Sequence, residues 1–599
     1  MDMQETWDLS PLFKSDDDLA MKKARKEIEE KHKVFVGKWK QRSDYLQDPL
    51  IMKQALDEYE NLMRFYGTSG AEGYYFSLRE YLDQANPLIK ARVNNVDAWS
   101  KAIQNEIHFF TLRIAKIPHV EQQKFLKHPQ LKKYEHFLER MFTEAEHVLS
   151  EPEENLLNLL TTTSYDNWVK MVSTFFSKES RIIFDEEGKE NSHTFEALQG
   201  LLESSHEPVR SSAARAMNDI LNKHSDVVES EMNSILAYKK TVDQIRKFSR
   251  PDSSRHLSDD VSSEMVDTLV ASVSASFHLS ERFYALKAKI LGLSKLQYYE
   301  RNLSYGTLNQ KYSYEESVNL VRKVLHRLDT EFGAIFEQFL KEGSIDVYPR
   351  EGKHGGAYCI HNLMSHPTYI MLNHVGRLQD VKTLAHEVGH GINNELMKKQ
   401  QHALSFDTPK STAEVASTFM EDFVFEELER GSNPEQRLAL LIFKLNQDVS
   451  TVFRQIAFYN FEQELHIEYR NKGYLAKEII HALFLRHMKA YMGDAVDFSG
   501  GGDAWWEYIP HFRDFFYVFS YASGLLISKS LQAKVRKDPS FIIKVKEFLS
   551  AGTSDSPRNI FLKMGIDITD KEFWNQGLKE FERLIDETTA LAKKLGKIK

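Results

Sequence analysis

His386-Glu387-Val388-Gly389-His390, set within the run Val381 to Lys399, decides how this chain is read. Val381, Leu384, Val388 and Ile392 recur at helical spacing, so the run is expected to be a helix with one buried face. Positions i and i+4 of a helix lie one turn apart on one face, which brings the imidazoles of His386 and His390 within reach of a single metal ion. Glu387 sits one position on, placed to touch a water on that metal rather than to bind the metal itself. Two nitrogen ligands with an adjacent carboxylate base are what zinc-assisted hydrolysis of a peptide bond requires. Gly389 and Gly391 are poor helix formers. Their smallness is expected to admit the close approach of another backbone or of a substrate.

Catalytic zinc usually takes three protein ligands and leaves a fourth position to water. The candidate third ligand is Glu414, in Ala413-Glu414-Val415-Ala416-Ser417-Thr418-Phe419. Residues 391–413 are enough to end the first helix, cross a loop containing Pro409 and start a second helix packed back on the first. Ser411-x-x-Glu414 also has the form of a capping box, so capping is the alternative role for this carboxylate. Glu421, two turns further along the same face, is placed to hydrogen-bond a metal-bound imidazole; the plain alternative is a solvated helix carboxylate. Glu387-x-x-His390 and Glu478-x-x-His481 are also the kind of pair that di-iron carboxylate bundles carry, the second on an expected helix from Ala476 to Tyr491. A helical di-iron oxidoreductase is therefore a rival, although it leaves His386 without a task.

The 599 residues allow one large or two to three ordinary domains. One cysteine, Cys359, excludes intramolecular disulfides and fits a reducing compartment; its plain role is that of a small buried apolar residue. Met1 to Ser10 lacks the basic flank and apolar core of a signal peptide, and no run of eighteen apolar residues occurs. A cytoplasmic protein without a membrane span is expected. The net charge of −9 comes from 78 basic and 87 acidic residues that are interspersed, with no basic stripe to argue for nucleic acid. The 27 glycines and 15 prolines are few for this length, which favours long helices. Helices are expected to start near Leu19 and to cover Pro49 to Tyr66, Gly73 to Phe110, Val120 to Ala145 and Val209 to His224, with a strand at Ser180 to Phe184. Ala357 to His361 and Thr368 to Asn373 look like two further short strands.

The zinc motif and the segment that follows it at this distance, Glu414-Val415-Ala416-Ser417-Thr418-Phe419, resemble the M3 metallopeptidases, and their oligoendopeptidase F branch more than the thimet oligopeptidase branch. Three other segments agree, in order along nearly the whole chain: Trp7-Asp8-Leu9-Ser10-Pro11-Leu12-Phe13, Gly355-Gly356-Ala357-Tyr358-Cys359, and Ile509-Pro510-His511-Phe512 with Tyr517-Val518-Phe519-Ser520-Tyr521-Ala522-Ser523-Gly524. Phe519 stands where family members often carry tyrosine, and Ser523-Gly524 where they often carry Thr-Gly. The resemblance implies a mainly α, zincin-type peptidase enclosing a deep substrate channel, with a small β-sheet beside the zinc helix. Pro208, near the start of Val209 to His224, fits a helix beginning taken as entry into the catalytic region, so a boundary is expected near residue 200, with an N-terminal helical region, 1–200, forming part of the channel wall and a catalytic region, 201–599. One Zn2+ per chain would be held by His386, His390 and Glu414, with Glu387 as general base and short peptides as substrates.

A tetrahedral oxyanion develops when water attacks a peptide carbonyl, and preorganised donors stabilise it. Neutral tyrosine hydroxyls suit that task, and the resemblance of the late segment implies it, with His511 and Tyr517 or Tyr521 as the candidates. Tyr517 and Tyr521, four apart among phenylalanines, have a core stripe as their plain alternative. A strand with a free edge can bind an extended peptide through main-chain hydrogen bonds, and the resemblance implies that use here, with Gly356, Ala357 and Tyr358 as the candidate substrate-binding residues. Gly500-Gly501-Gly502 is expected to be a flexible connector or a hinge. A peptide-binding protein that does not cut its ligand is the third alternative.

Overall fold

The computed structural model describes residues 4–306 and 310–599, where helices dominate and the strands form three small sheets. Contacts divide the chain into two compact units, each assembled from three separate stretches. The first takes Met1–Glu146, Asn309–Arg430 and Leu531–Ile566; the second takes His147–Leu308, Gly431–Ser530 and Asp567–Lys599. Residue 200 lies inside the second. No helix among the described residues is long and apolar enough to cross a membrane.

In the first unit, proline and its preceding cap residue set the helix limits. Pro49–Phe65 begins with Asp48 accepting from the Leu50 and Ile51 amides at 2.7 and 3.4 Å. The single helix expected over Gly73 to Phe110 is three: Gly70–Leu82, Pro87–Ile107 and Phe109–Ala115. Pro87 has no amide with which to continue a helix, and Asn86 caps a new one. Pro129 likewise divides the helix expected from Val120 to Ala145 into His119–Leu126, a 3₁₀ stretch Pro129–Tyr134 and Glu135–Ala145. Trp39, Tyr45, Phe110 and Tyr134 are fully buried in the core these helices enclose.

The same unit holds a three-stranded sheet. Tyr369–Met371 lies in the middle, parallel to Ile345–Asp346 and antiparallel to Tyr358–Ile360, with Cys359 opposite Ile370. Tyr358–Ile360 is therefore an edge strand. The N-terminal segment clamps this sheet: the Trp7 indole donates to the Ile370 carbonyl at 2.8 Å, and the Tyr369 hydroxyl to that of Asp8 at 2.7 Å. Beside the sheet runs the motif helix, Leu378–Gln400, with Val381, Leu384, Val388 and Ile392 fully buried as expected. Asp380 starts it by accepting from the Val375 and Arg377 amides, both at 2.8 Å.

The second unit is built on Glu207–Ile245, a helix of 39 residues. It runs past the expected end at His224 because Val228, Met232, Ile235 and Leu236 continue its buried face. Ser180–Phe184 pairs antiparallel with Glu190–Thr194. Pro434–Val449 and Gln455–Lys472 are joined through a π-helical turn, Ser450–Arg454. Gly501 and Gly502 have φ of +97° and +121°, and a Cβ on either would strike the side chain of Asn218 or of Tyr298. Close packing and left-handed backbone are what these two glycines serve.

Candidate active site

His386 and His390 lie one turn apart on the motif helix, with ring centroids 5.0 Å apart. The second helix, Lys410–Arg430, packs against it and brings Glu414 to both: Glu414 Oε2 lies 3.3 Å from His386 Nε2 and 3.7 Å from His390 Nε2. One donor atom from each of the three residues falls within 4.8 Å of the others, and no other group of this kind occurs among the described residues. Two ligands of a tetrahedral ion bonded at about 2.0–2.1 Å are about 3.3–3.4 Å apart. The observed pair of distances spans that value, so the donor set fits a zinc-sized cation.

The close approach of the two helices depends on Gly389. A Cβ there would sit 2.8 Å from the Ala416 carbonyl oxygen and 2.8 Å from Ser417 Cα. Gly391 plays the same part toward the Phe339 ring, at 2.7 Å, and Ile370 of the central strand, at 3.4 Å. Of the two uses expected for their smallness, the close approach of neighbouring protein groups is the one seen.

Around the three donors stands a ring of supporting groups. His386 Nδ1 is 3.2 Å from Glu421 Oε2, the contact expected of Glu421, and Lys382 Nζ holds the other oxygen of Glu421 at 2.8 Å. Ser417 Oγ donates to Glu414 Oε2 at 2.9 Å. Lys382 and Ser417 were not anticipated from the sequence. The available signal was spacing alone: Lys382 is one turn before His386, and Ser417 three residues after Glu414.

The electrostatics follow from this crowding. Burial alone would push His386 down, but the hydrogen bonds to Glu414 and Glu421 outweigh it and raise it to about 10. Burial and the charge on His386 hold His390 down to about 4. Burial raises Glu414, yet the bond to His386 and the neighbouring imidazoles prevail and bring it to about 2. Glu421 is drawn to about 2 against its own burial by Lys382 and His386. Glu387 is buried, and that burial raises it to about 7; His386 opposes the rise and Glu414 adds to it. The backbone amide of Cys359, on the edge strand, also opposes the rise at Glu387.

Gly356 precedes that strand with φ of +83°, and its carbonyl accepts from Asn373 Nδ2 at 2.7 Å. The Tyr358 ring meets His354 edge to face and Tyr81 at a tilt, at 5.0 and 5.7 Å between centroids. In the second unit His511, Tyr517 and Tyr521 form a cluster of their own, with centroids 5.4 to 5.9 Å apart and His511 Nδ1 hydrogen-bonded to the Tyr517 hydroxyl. All three are half-buried, whereas Phe512, Phe516, Val518 and Phe519 between them are buried. The polar groups thus stand apart from the core stripe. Burial, then the charge of Arg454, hold His511 down to about 4; burial and Tyr521 push Tyr517 up. His481, half of the second di-iron motif, is instead 3.1 Å from Glu507 and 3.8 Å from Asp503.

A largely helical fold that brings two imidazoles and a carboxylate to one point, with a buried second carboxylate beside them, is the arrangement of a metal-dependent hydrolase. Comparison with known proteins narrows the class. The model of peptidase family M3 matches residues 200–580, and that of the oligopeptidase F N-terminal region matches residues 113–177. The chain is 27% identical to oligopeptidase PepF of Bacillus subtilis over 606 aligned positions, covering 99% of this chain and 88% of that protein. It superposes on a crystal structure from Chlamydophila abortus with a TM-score of 0.85, at 21% identity over 98% of both chains. With oligoendopeptidase-F from Enterococcus faecium the TM-score is 0.69, at 21% identity over 96% of this chain and 99% of that one. The chain belongs to peptidase family M3, and is thereby a metallopeptidase, a hydrolase of peptide bonds.

Proposed function

We propose that this peptidase uses one zinc ion per chain, held by His386, His390 and Glu414, to cut internal bonds of short oligopeptides. The convergence of those three donors, with Glu387 buried beside them and outside the donor group, carries this reading. Zinc, when bound, supplies a Lewis acid that polarises the scissile carbonyl and lowers the pKa of water. Glu387 takes a proton from the attacking water onto its carboxylate and returns it to the departing amine. Glu421 holds the Nδ1–H of His386, so that Nε2 presents its lone pair; Lys382 and Ser417 keep the two carboxylates from turning away. His511 and Tyr517 or Tyr521 donate hydrogen bonds to the oxyanion, a role favoured by their standing apart from the core. Gly356, Ala357 and Tyr358 lead into an edge strand suited to main-chain bonding with an extended peptide. Residues 201–599 carry the chemistry and 1–200 contribute to the wall of the substrate channel. The preference for oligopeptides is supported by the oligopeptidase relative named above, and the single cysteine supports a reducing, cytoplasmic setting.

Mass spectrometry of a mixed oligopeptide pool incubated with the protein tests this, with Glu387→Gln alongside. Internal cuts are expected from the unmutated protein. Glu387→Gln is expected to keep its zinc and to lose about 10²–10⁴ in rate, the size of a general-base contribution. Turnover by Glu387→Gln at the original rate would remove Glu387 from the mechanism, and cuts confined to chain ends would make the enzyme an exopeptidase.

A further inference from the structure

A cavity of about 320 Å³ opens in the second unit, and His511, Arg301 and Arg454 are among the residues that line it. Two guanidiniums lining one cavity are costly to leave without counter-charge. Among the described residues neither has an ion-pair partner, and the Nε of each is buried without a hydrogen bond. Arg301 is buried, its guanidinium 4.5 Å from the Tyr298 ring centre and 4.9 Å from that of Trp505, and its one hydrogen bond goes to the Tyr298 carbonyl at 3.0 Å. Arg454 closes the π-helical turn Ser450–Arg454 and lies over Phe458 at 5.6 Å. Such turns shift side chains out of helical register and recur at functional sites. Glu203 lines the same cavity but is not within ion-pair distance of either arginine, and Glu300, beside Arg301 in sequence, is taken by Arg210 at 2.7 Å. The charge of Arg454 is felt at His511, where it adds to burial in keeping the imidazole neutral.

We propose that this cavity is an anion subsite that takes a carboxylate of the peptide substrate, either its free C-terminus or an acidic side chain, on Arg454 and Arg301. The proposal rests on the reading that His511 faces the peptide. Planar guanidiniums bind carboxylates bidentately, and the volume suits a side chain or a chain end rather than a folded surface.

The test uses the full chain carrying Glu387→Gln, so that bound peptide stays intact. Dissociation constants are measured by fluorescence anisotropy for two matched pairs of labelled oligopeptides. One pair differs only in a C-terminal carboxylate against a carboxamide, the other only in one glutamate against glutamine. A charge-assisted hydrogen bond predicts at least about tenfold tighter binding of the charged member of one pair. Discrimination within the first pair identifies the chain end as the ligand, and within the second a side chain. Adding Arg454→Gln or Arg301→Gln should collapse that ratio toward one, and Arg454→Lys should retain part of it. Equal affinities within both pairs, no peptide binding at all, or a ratio that survives both arginine substitutions would each overturn the proposal. Cleavage of the peptides by the Glu387→Gln chain would count against the mechanism above and leave the ratio to decide this one.

Discussion

A Cβ at Gly389 would lie against backbone atoms of the neighbouring helix, not against the end of a flexible side chain. Gly389→Ala would gain up to about 1 kcal/mol in helix propensity, but overpacking against a backbone costs about 1–3 kcal/mol. The second effect wins, so the variant should melt lower, by up to about 3 °C. Because the displaced helix carries Glu414, metal affinity should fall with it. Chelator competition and a thermal melt on the same sample check both, and an unchanged melt would mean that the helices part without cost. The supporting contacts can be probed one side chain at a time. Lys382→Met leaves the Glu421 carboxylate without its cation, and Glu421→Gln weakens the hold on His386 Nδ1. Each should reduce zinc affinity about 10–100-fold, as loss of an outer partner does at other metal sites. Full affinity in both variants would show that the imidazole needs no orienting.

Among the elements, the stretch joining the Pro510–Arg513 3₁₀ turn to the helix Phe519–Lys537 is the most strained, with Phe515 and Phe516 at φ of +22° and +61°. It is held from beneath. The Phe516 amide donates to Glu462 Oε1 at 2.9 Å, the Phe515 carbonyl accepts from Arg255 at 3.2 Å, and Arg513 pairs with Glu231 at 2.6 Å, both buried. Burial raises Glu462 to about 8, opposed by the Phe516 amide, Lys239 and Arg255, and assisted by Asp514. A carboxyl raised above its unfolded value near 4.5 stabilises the fold fully below that value. The contribution shrinks as pH rises and is gone above about 8. Stability should therefore decline between pH 4.5 and 8 by a component that Glu462→Gln abolishes; denaturant melts across that range measure it, and equal slopes in the two proteins would exclude it. None of this strain was legible in the chain, since Phe515-Phe516 carries no turn residue. The helices were legible where an apolar face ran unbroken, as in Val381, Leu384, Val388 and Ile392. Their limits were missed where periodicity continued across Pro87 and Pro129, because a capping asparagine or histidine before proline overrides spacing. The site showed the same division. His386 and His390 announced themselves through local spacing and Glu414 through its place in the segment that follows them, whereas Lys382 and Ser417 matter only because two helices touch at a glycine.

For the whole molecule, metal binding and protonation are linked. His386 is raised to about 10 by Glu414 and Glu421, so it carries a proton at pH 8 without metal, and a zinc ligand must be neutral. Zinc binding at pH 8 should release close to one proton from this residue, and the release should fade as pH rises through about 10. Calorimetry in buffers of different ionisation enthalpy reads that number directly; no buffer dependence would mean that His386 is already neutral. Zinc at a thousandfold over its dissociation constant should add about 4 kcal/mol to stability, visible as a rise in melting temperature. The interleaving of the two units has a consequence at the ribosome. The first unit draws its last stretch from Leu531–Ile566 and the second from Asp567–Lys599, so neither is complete until nearly the whole chain has been made. At about 5–20 residues per second, the earliest helices must wait tens of seconds for their partners. Helices of both units stand unpaired over most of the chain's synthesis, and a premature stop anywhere before Ile566 leaves both units unfinished.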